Sequence, residues 1–190
     1  SGRNLLGQIE QILDFAKNDS QEQKIWAEYV DLQGLARQVI SHMQVSIEKS
    51  GVTVVLKTGP SLWTMADPRA IQQIWQNLLS NALKYTDAGG HITLQARESC
   101  GRAVLSVIDN GAGISAADLP RVAEPFKQGA NSKTRKGSGL GLAIVQQLTQ
   151  LHAGEFRIDS REGKGTRVDI TLPISENSDP SHATPESAAQ

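Results

Sequence analysis

Cysteine is almost missing from this 190-residue chain, where Cys100 stands alone. One thiol cannot build a disulfide framework within the chain, nor a multi-cysteine zinc site. Long hydrophobic runs are missing as well. No stretch reaches the roughly 18 apolar residues that a membrane-spanning helix needs. Ser1-Gly2-Arg3-Asn4 lacks the charged-then-apolar layout of a signal peptide. Neither sign of charge is in excess: 19 Lys and Arg stand against 20 Asp and Glu, a net charge of −1. Strong non-specific attraction to nucleic acid requires a basic surface, so that balance argues against it. These absences predict a soluble, cytoplasmic protein with no nucleic-acid partner and no membrane contact by this stretch. Any function that rests on charge must come from local clusters.

A globular core is possible at 38% hydrophobic residues. Leu5, Leu6, Ile9, Ile12, Leu13 and Ala16 predict an amphipathic helix over 4–17, followed by a polar linker. That helix has no partner element of its own, and its apolar face calls for another chain. Asp31 is positioned to cap a second helix running to about residue 49, with Gly51 as its stop. Residues 52–56 read as a strand and 62–66 as a short apolar piece. Asp67-Pro68 then opens a helix to about residue 86, an Asp cap followed by Pro at the first helical position. Its apolar residues Ile71, Ile74, Trp75, Leu78, Leu79, Ala82 and Leu83 fit the helical template. Ile92, Leu94 and Ala96 mark a half-buried strand, and 103–109 a deeply buried one. Ser115 to Asp118 resembles a capping box within a turn-rich stretch over 111–136. A helix over about 138–152 precedes strands over 155–160 and 166–172. From Ile174 onward the chain is Ser-, Pro-, Ala- and Glu-rich with no Lys or Arg, which predicts disorder. Hairpin-paired strands interleaved with helices predict a mixed α/β layer, one sheet with its helices on one face.

Three segments carry candidate chemistry. Asn77, Asn81 and Lys84 are spaced four and three apart, so they share one stripe of their helix, opposite the apolar face. Amide oxygen ligates magnesium and an ammonium balances phosphate, although a solvated helix face explains the same pattern. Asp109-Asn110-Gly111-Ala112-Gly113-Ile114 ends a buried strand in a carboxylate and two glycines. The carboxylate suits an exocyclic amine such as adenine N6; a plain tight turn is the competing reading. Gly137-Ser138-Gly139-Leu140-Gly141-Leu142 opens a helix whose unpaired amides suit phosphate. Dinucleotide-binding and P-loop patterns are both absent. Upstream, Lys127, Lys133, Arg135 and Lys136 form a basic loop with no acid over 125–136, either an exposed charged loop or a lid over polyphosphate.

The order of these segments, with Glu124-Pro125-Phe126 between them and Gly163-Lys164-Gly165-Thr166 after them, resembles the ATP-binding domain of bacterial sensor histidine kinases. They match that family's N, G1, F, G2 and G3 boxes, and the likeness covers residues 31–173. Residues 1–20 resemble the end of the family's second dimerisation helix, with 21–30 as linker and 174–190 as disordered tail. The resemblance implies an α/β two-layer sandwich of the gyrase and heat-shock-chaperone ATPase superfamily, with a mixed sheet covered on one face by helices. It implies ATP and magnesium as ligands. Asn81 would hold the metal with Asn77 in support, Lys84 would meet phosphate and Tyr85 would lie against the nucleotide. Asp109 would read the adenine amine over a floor of Gly111, Gly113 and Ile114. Phe126 would help position the lid carrying Lys133 and Arg135. Gly137, Gly139 and Gly141 would give the phosphates backbone room, Ser138, Leu140 and Leu142 would belong to the same nucleotide-binding stretch, and Thr166 would complete the adenine side.

Two departures stand out. Ala123 replaces a Phe often found before Glu-Pro-Phe in the family. More importantly, His42, His91, His152 and His182 are followed by Met, Ile, Ala and Ala, whereas the family's phosphoacceptor His precedes an acidic residue. The resemblance therefore implies that the acceptor lies on a dimerisation domain absent from this chain. The partners implied are that domain in a homodimer and a response regulator receiver domain, the longer protein being cytoplasmic or anchored in the inner membrane. Two other readings stay open. One is a nucleotide-sensing regulatory module without catalysis. The other is an ATPase of the same superfamily, but those enzymes carry a water-activating Glu where Asn77 stands.

Overall fold

The computed structural model describes residues 25–57, 59–127 and 138–174. The expected 4–17 helix, the tail after Ile174, and Lys133, Arg135, Lys136 and Gly137 lie outside the described residues. Strand β1 is Glu28–Asp31, followed by helices α1 Leu32–His42 and α2 Gln44–Ser50. Then come β2 Thr53–Lys57, β3 Trp63–Ala66 and the long helix α3 Pro68–Tyr85. A hairpin of β4 His91–Ser99 and β5 Arg102–Asp109 leads to a 3-10 turn at Leu119–Arg121. Helix α4 Gly141–Leu151 and a second hairpin, β6 Glu155–Arg161 with β7 Gly165–Pro173, complete the described chain.

The main sheet has the order β2-β4-β5-β7-β6. Only β2 and β4 run parallel, because α3 lies in the crossover between them. The other pairs are antiparallel. Helices α1, α3 and α4 pack against the sheet, with α3 in contact with both other helices. Trp75, Ile71, Ile74 and Leu79 of α3 are fully buried against the sheet residues Leu94, Leu105 and Ile170. The two-layer mixed sandwich therefore arises from matching one apolar helix face to the alternate residues of each strand.

Three expectations need correction. The described residues form two sheets, not one, because β1 and β3 pair antiparallel as a separate ribbon. β1 overlaps the last three residues of the 21–30 stretch expected to be linker; four residues joined to a partner far along the chain leave little local signal. The expected helix over 31–49 is broken at Met43, whose amide is shared between the carbonyls of Val39 and Ile40 at 3.0 and 3.2 Å. The helix expected from residue 138 starts at Gly141. The caps read from sequence hold: Asp31 accepts from the Gln33 amide at 3.0 Å, and Asp67 from Arg69 at 2.9 Å. Gly51 ends α2 at φ +66°. Ser115 accepts from the Asp118 amide at 3.1 Å, yet this cap leads only into the 3-10 turn and not into an α-helix.

His152 ties the two site-bearing helices together. Its Nε2 accepts from the Asp67 amide at 3.1 Å, at the cap of α3. That fixes the proton on Nδ1, which donates to the Leu148 carbonyl of α4 at 2.7 Å. His152→Ala should lower stability by about 1–3 kcal/mol, since it strands a partly buried amide. A urea midpoint that falls at unchanged slope would show this; an unmoved midpoint would make the bridge ornamental.

Candidate nucleotide site

One cavity of about 310 Å³ opens between α3, the ends of β5 and β7, and the start of α4. Asn77, Asn81, Lys84 and Tyr85 line one side. Their stripe is not opposite the apolar face of α3, as the spacing suggested. It runs along the flank, where Asn77, Asn81 and Lys84 are half-buried while Gln76 and Ser80 take the exposed face. The reason is α4, which packs on that flank. A Cβ added at Gly141 would sit 3.4 Å from Asn81 Nδ2 and 3.5 Å from Asn77 Oδ1. Glycine there lets the helix start close to the two carboxamides. Lys84 Nζ lies 4.8 Å from the centre of the Tyr85 ring.

The start of α4 has no side-chain cap. Its first-turn amides lack intrahelical partners and carry the positive end of the helix dipole, beside Gly139, Gly141 and Leu142 in the cavity wall. Among the described residues no cluster of three His, Cys, Asp or Glu could hold a metal alone. The donor set suits magnesium none the less: one carboxamide oxygen from Asn81, with phosphate oxygens and water supplying the rest.

Asp109 closes the other side. Its Oδ1 accepts from the amides of Gly111 at 2.9 Å and Thr166 at 3.2 Å. Oδ2 has no hydrogen-bond partner among the described residues, and Asp109 lines the cavity. Burial raises the Asp109 carboxyl above its ordinary value, and the two amides oppose that shift without cancelling it. Two glycines hold this corner. Gly113, at φ +66°, lies against the Arg161 carbonyl, and Gly165, at φ +91°, against the carbonyl of Asp109 itself. Any Cβ at either position would collide with backbone, so the turn after β5 and the β6–β7 turn dock only as glycine.

The expected residues divide into those in the cavity wall and those elsewhere. Asn77, Asn81, Lys84, Tyr85, Asp109, Gly113, Ile114, Ser138, Gly139, Gly141, Leu142 and Thr166 all line it. Gly111 sits behind it, with room for no Cβ against the Tyr85 carbonyl. Two others are absent from the wall. Leu140 is fully buried in the core, so its side chain anchors α4 and does not face the cavity. Phe126 is 60% exposed at φ +63°, and its amide donates to Gly139 O at 3.0 Å; the lid it was expected to position lies outside the described residues. Val122, Ile158 and Val168 line the cavity without having been singled out, and Lys127, the first cation of the expected basic loop, lines it too. Ile158 and Val168 were visible only as inward positions of alternating strands.

The family model described as histidine kinase-, DNA gyrase B- and HSP90-like ATPase matches residues 66–176. The histidine protein kinase DivJ of Caulobacter vibrioides is 38% identical over 177 residues, 92% of this chain and 30% of its own length. The sensor histidine kinase WalK of Bacillus subtilis is 33% identical over 172 residues, 88% of this chain and 28% of its own. This chain thus spans about a third or less of these relatives. Among solved structures, full-length ShkA in complex with AMPPNP superposes at a TM-score of 0.82 with 30% identity, covering 95% of this chain and 38% of that one. The five boxes, the cavity that four of them line and these likenesses agree: the chain belongs to the histidine kinase-, DNA gyrase B- and HSP90-like ATPase family and carries the ATP-binding catalytic domain of a sensor histidine kinase.

Proposed function

We propose that this domain binds ATP with magnesium and presents the γ-phosphate to a histidine on a dimerisation domain, as one half of a phosphotransfer reaction. The supporting observation is a single cavity lined by a carboxylate with one unshared oxygen, Asp109, and by the uncapped start of α4. A purine amine and a polyphosphate are the chemistries those two features recognise. Asn81 would hold the magnesium and Asn77 would support it, while Lys84 faces phosphate. The ion, when bound, would neutralise charge on the transferring phosphoryl group. In-line transfer needs little covalent chemistry from this side, so positioning carries most of the catalysis. The phosphorylated histidine would then serve a response regulator receiver domain.

Asn77 favours transfer over hydrolysis. A carboxamide cannot take a proton from water as a carboxylate can. Calorimetry with a non-hydrolysable ATP analogue tests the binding step. Magnesium should tighten binding in the wild type, and Asn81→Ala should abolish most of that gain while leaving magnesium-free binding within about threefold. Absence of binding under either condition would remove the assignment.

A further inference from the structure

Ser160, on β6, is assigned no role by the boxes, yet its hydroxyl sits behind the cavity wall, bonded to two of the lining residues, Ile114 and Thr166. Three groups surround its Oγ. The Ile114 amide donates to it at 2.9 Å, the Gly165 carbonyl lies at 2.9 Å, and Thr166 Oγ1 lies at 2.8 Å. The direction of each bond is set by counting protons. A serine hydroxyl owns one proton and can accept two. The Ile114 amide can only donate, and the Gly165 carbonyl can only accept. The single Ser160 proton therefore goes to Gly165, and the contact with Thr166 is satisfied only if Thr166 donates its proton to Ser160. Any other assignment sets two lone pairs against each other at 2.8 or 2.9 Å.

The consequence reaches the cavity. With its proton committed, Thr166 Oγ1 has only lone pairs left to offer. Asp109 Oδ2 also offers only lone pairs when ionised. The base-reading corner then displays two acceptors and no hydroxyl donor. We infer that Ser160 is a specificity-determining positioning residue: by taking the Thr166 proton it fixes that hydroxyl as an acceptor, and so biases the site toward 6-amino and against 6-oxo purines. The inference rests on the nucleotide-binding reading above. Ser160 acts through Thr166 and does not itself touch the base. Its second bond, from Ile114, pins the turn after β5 to the β6 strand, so a purely structural role must be separated from the selective one.

ADP and inosine diphosphate provide the separation, because they carry an amine and a carbonyl at the same ring carbon. Their dissociation constants should be measured by calorimetry on the wild type, Ser160→Ala, Thr166→Val and the double variant. In Ser160→Ala the freed Thr166 hydroxyl can turn and donate to the carbonyl. The preference for ADP should shrink by about three- to tenfold, the range of one ordinary hydrogen bond. Thr166→Val should shrink it too, and adding Ser160→Ala to Thr166→Val should change the preference no further. A Ser160→Ala variant that loses both nucleotides equally would reduce Ser160 to a structural bond and overturn the inference. So would an effect of Ser160→Ala on the preference that persists alongside Thr166→Val. Should Ser160→Ala not fold, Ser160→Cys fills the same space with a poor acceptor, and an unchanged preference there overturns the inference as well. Failure of the wild type to bind ADP would instead bring down the nucleotide reading, and this inference with it.

Discussion

Asp109→Asn should weaken ADP binding by about ten- to a hundredfold while making the nucleotide-free domain more stable at neutral pH. Binding suffers because a charge-assisted hydrogen bond is worth about 1.5–3 kcal/mol. Asparagine also turns a donor toward the adenine amine if its oxygen stays on the Gly111 and Thr166 amides. Those amides are the reason the fold survives: the asparagine Oδ1 can take both bonds that Asp109 Oδ1 now holds. Guanine nucleotides, which carry a carbonyl in place of the amine, should lose less. Equal losses for the two bases would remove Asp109 from base recognition.

The stability gain has its own sign. Burial lifts the folded carboxyl above 3.8, so the folded state holds its proton more tightly than the unfolded chain does. Stability therefore falls as pH rises from the unfolded value through the raised folded value, and the cost is fully present above that window. Asparagine does not titrate and escapes this cost. Urea denaturation of wild type and variant should show the asparagine protein ahead near neutral pH, with its lead shrinking as pH drops through the window. A lead that grows on acidification would mean the amides outweigh burial. ADP affinity of the wild type should decline over the same window relative to the variant, a difference from which the titration of the nucleotide's own phosphates cancels.

The site was legible in the sequence where chemistry depends on residue type at short spacing. Asn77, Asn81 and Lys84 lie on one helix, and Asp109 and Gly113 in one turn, so local spacing was enough to bring each group together. What spacing could not give was the neighbour. It placed the Asn stripe opposite the core because a helix wheel knows nothing of α4, whose Gly141 packs against the flank of α3. Ser160 was missed for the same reason. Its partner Ile114 comes from the turn after β5 and its partner Thr166 from the paired strand β7, and nothing in Arg157-Ile158-Asp159-Ser160 distinguishes it from any inward strand residue. Leu140 shows what a motif leaves unsaid. It sits inside a phosphate-type motif, yet its side chain is core, because a helix that presents its first amides to a ligand needs an anchor behind them. In the fold, α3 was legible from its cap and its seven-residue apolar set. The β1–β3 ribbon was not, since its cohesion comes from long-range pairs such as Val30 with Thr64 and from the Tyr29–Trp63 stack at 5.4 Å.

Incubated by itself with γ-labelled ATP, the 190-residue chain should bind nucleotide yet neither label itself nor release phosphate steadily. The structure adds to the reasons present in the sequence. His152 has both ring nitrogens engaged, one accepting from the Asp67 amide and the other donating to the Leu148 carbonyl. An imidazole in that state has no lone pair to offer a phosphorus. His42 ends α1 and His91 opens β4, and neither lines the cavity. Hydrolysis lacks a base as well, because Asn77 borders the cavity where the hydrolysing members of the superfamily carry Glu. General-base assistance is worth about 10²- to 10⁴-fold, so turnover should fall short of those enzymes by at least that factor. Good placement of the phosphate cannot replace a missing nucleophile. A dimerisation domain with its own histidine, added in trans, should restore acid-labile label on the added domain if the two surfaces match. Stoichiometric label on this chain alone would reveal an acceptor that the four histidine contexts conceal. Sustained phosphate release lost in Asn77→Ala would move the domain to the ATPases, and Asn77→Glu offers the converse check, since a carboxylate at that wall position should raise hydrolysis above the wild type.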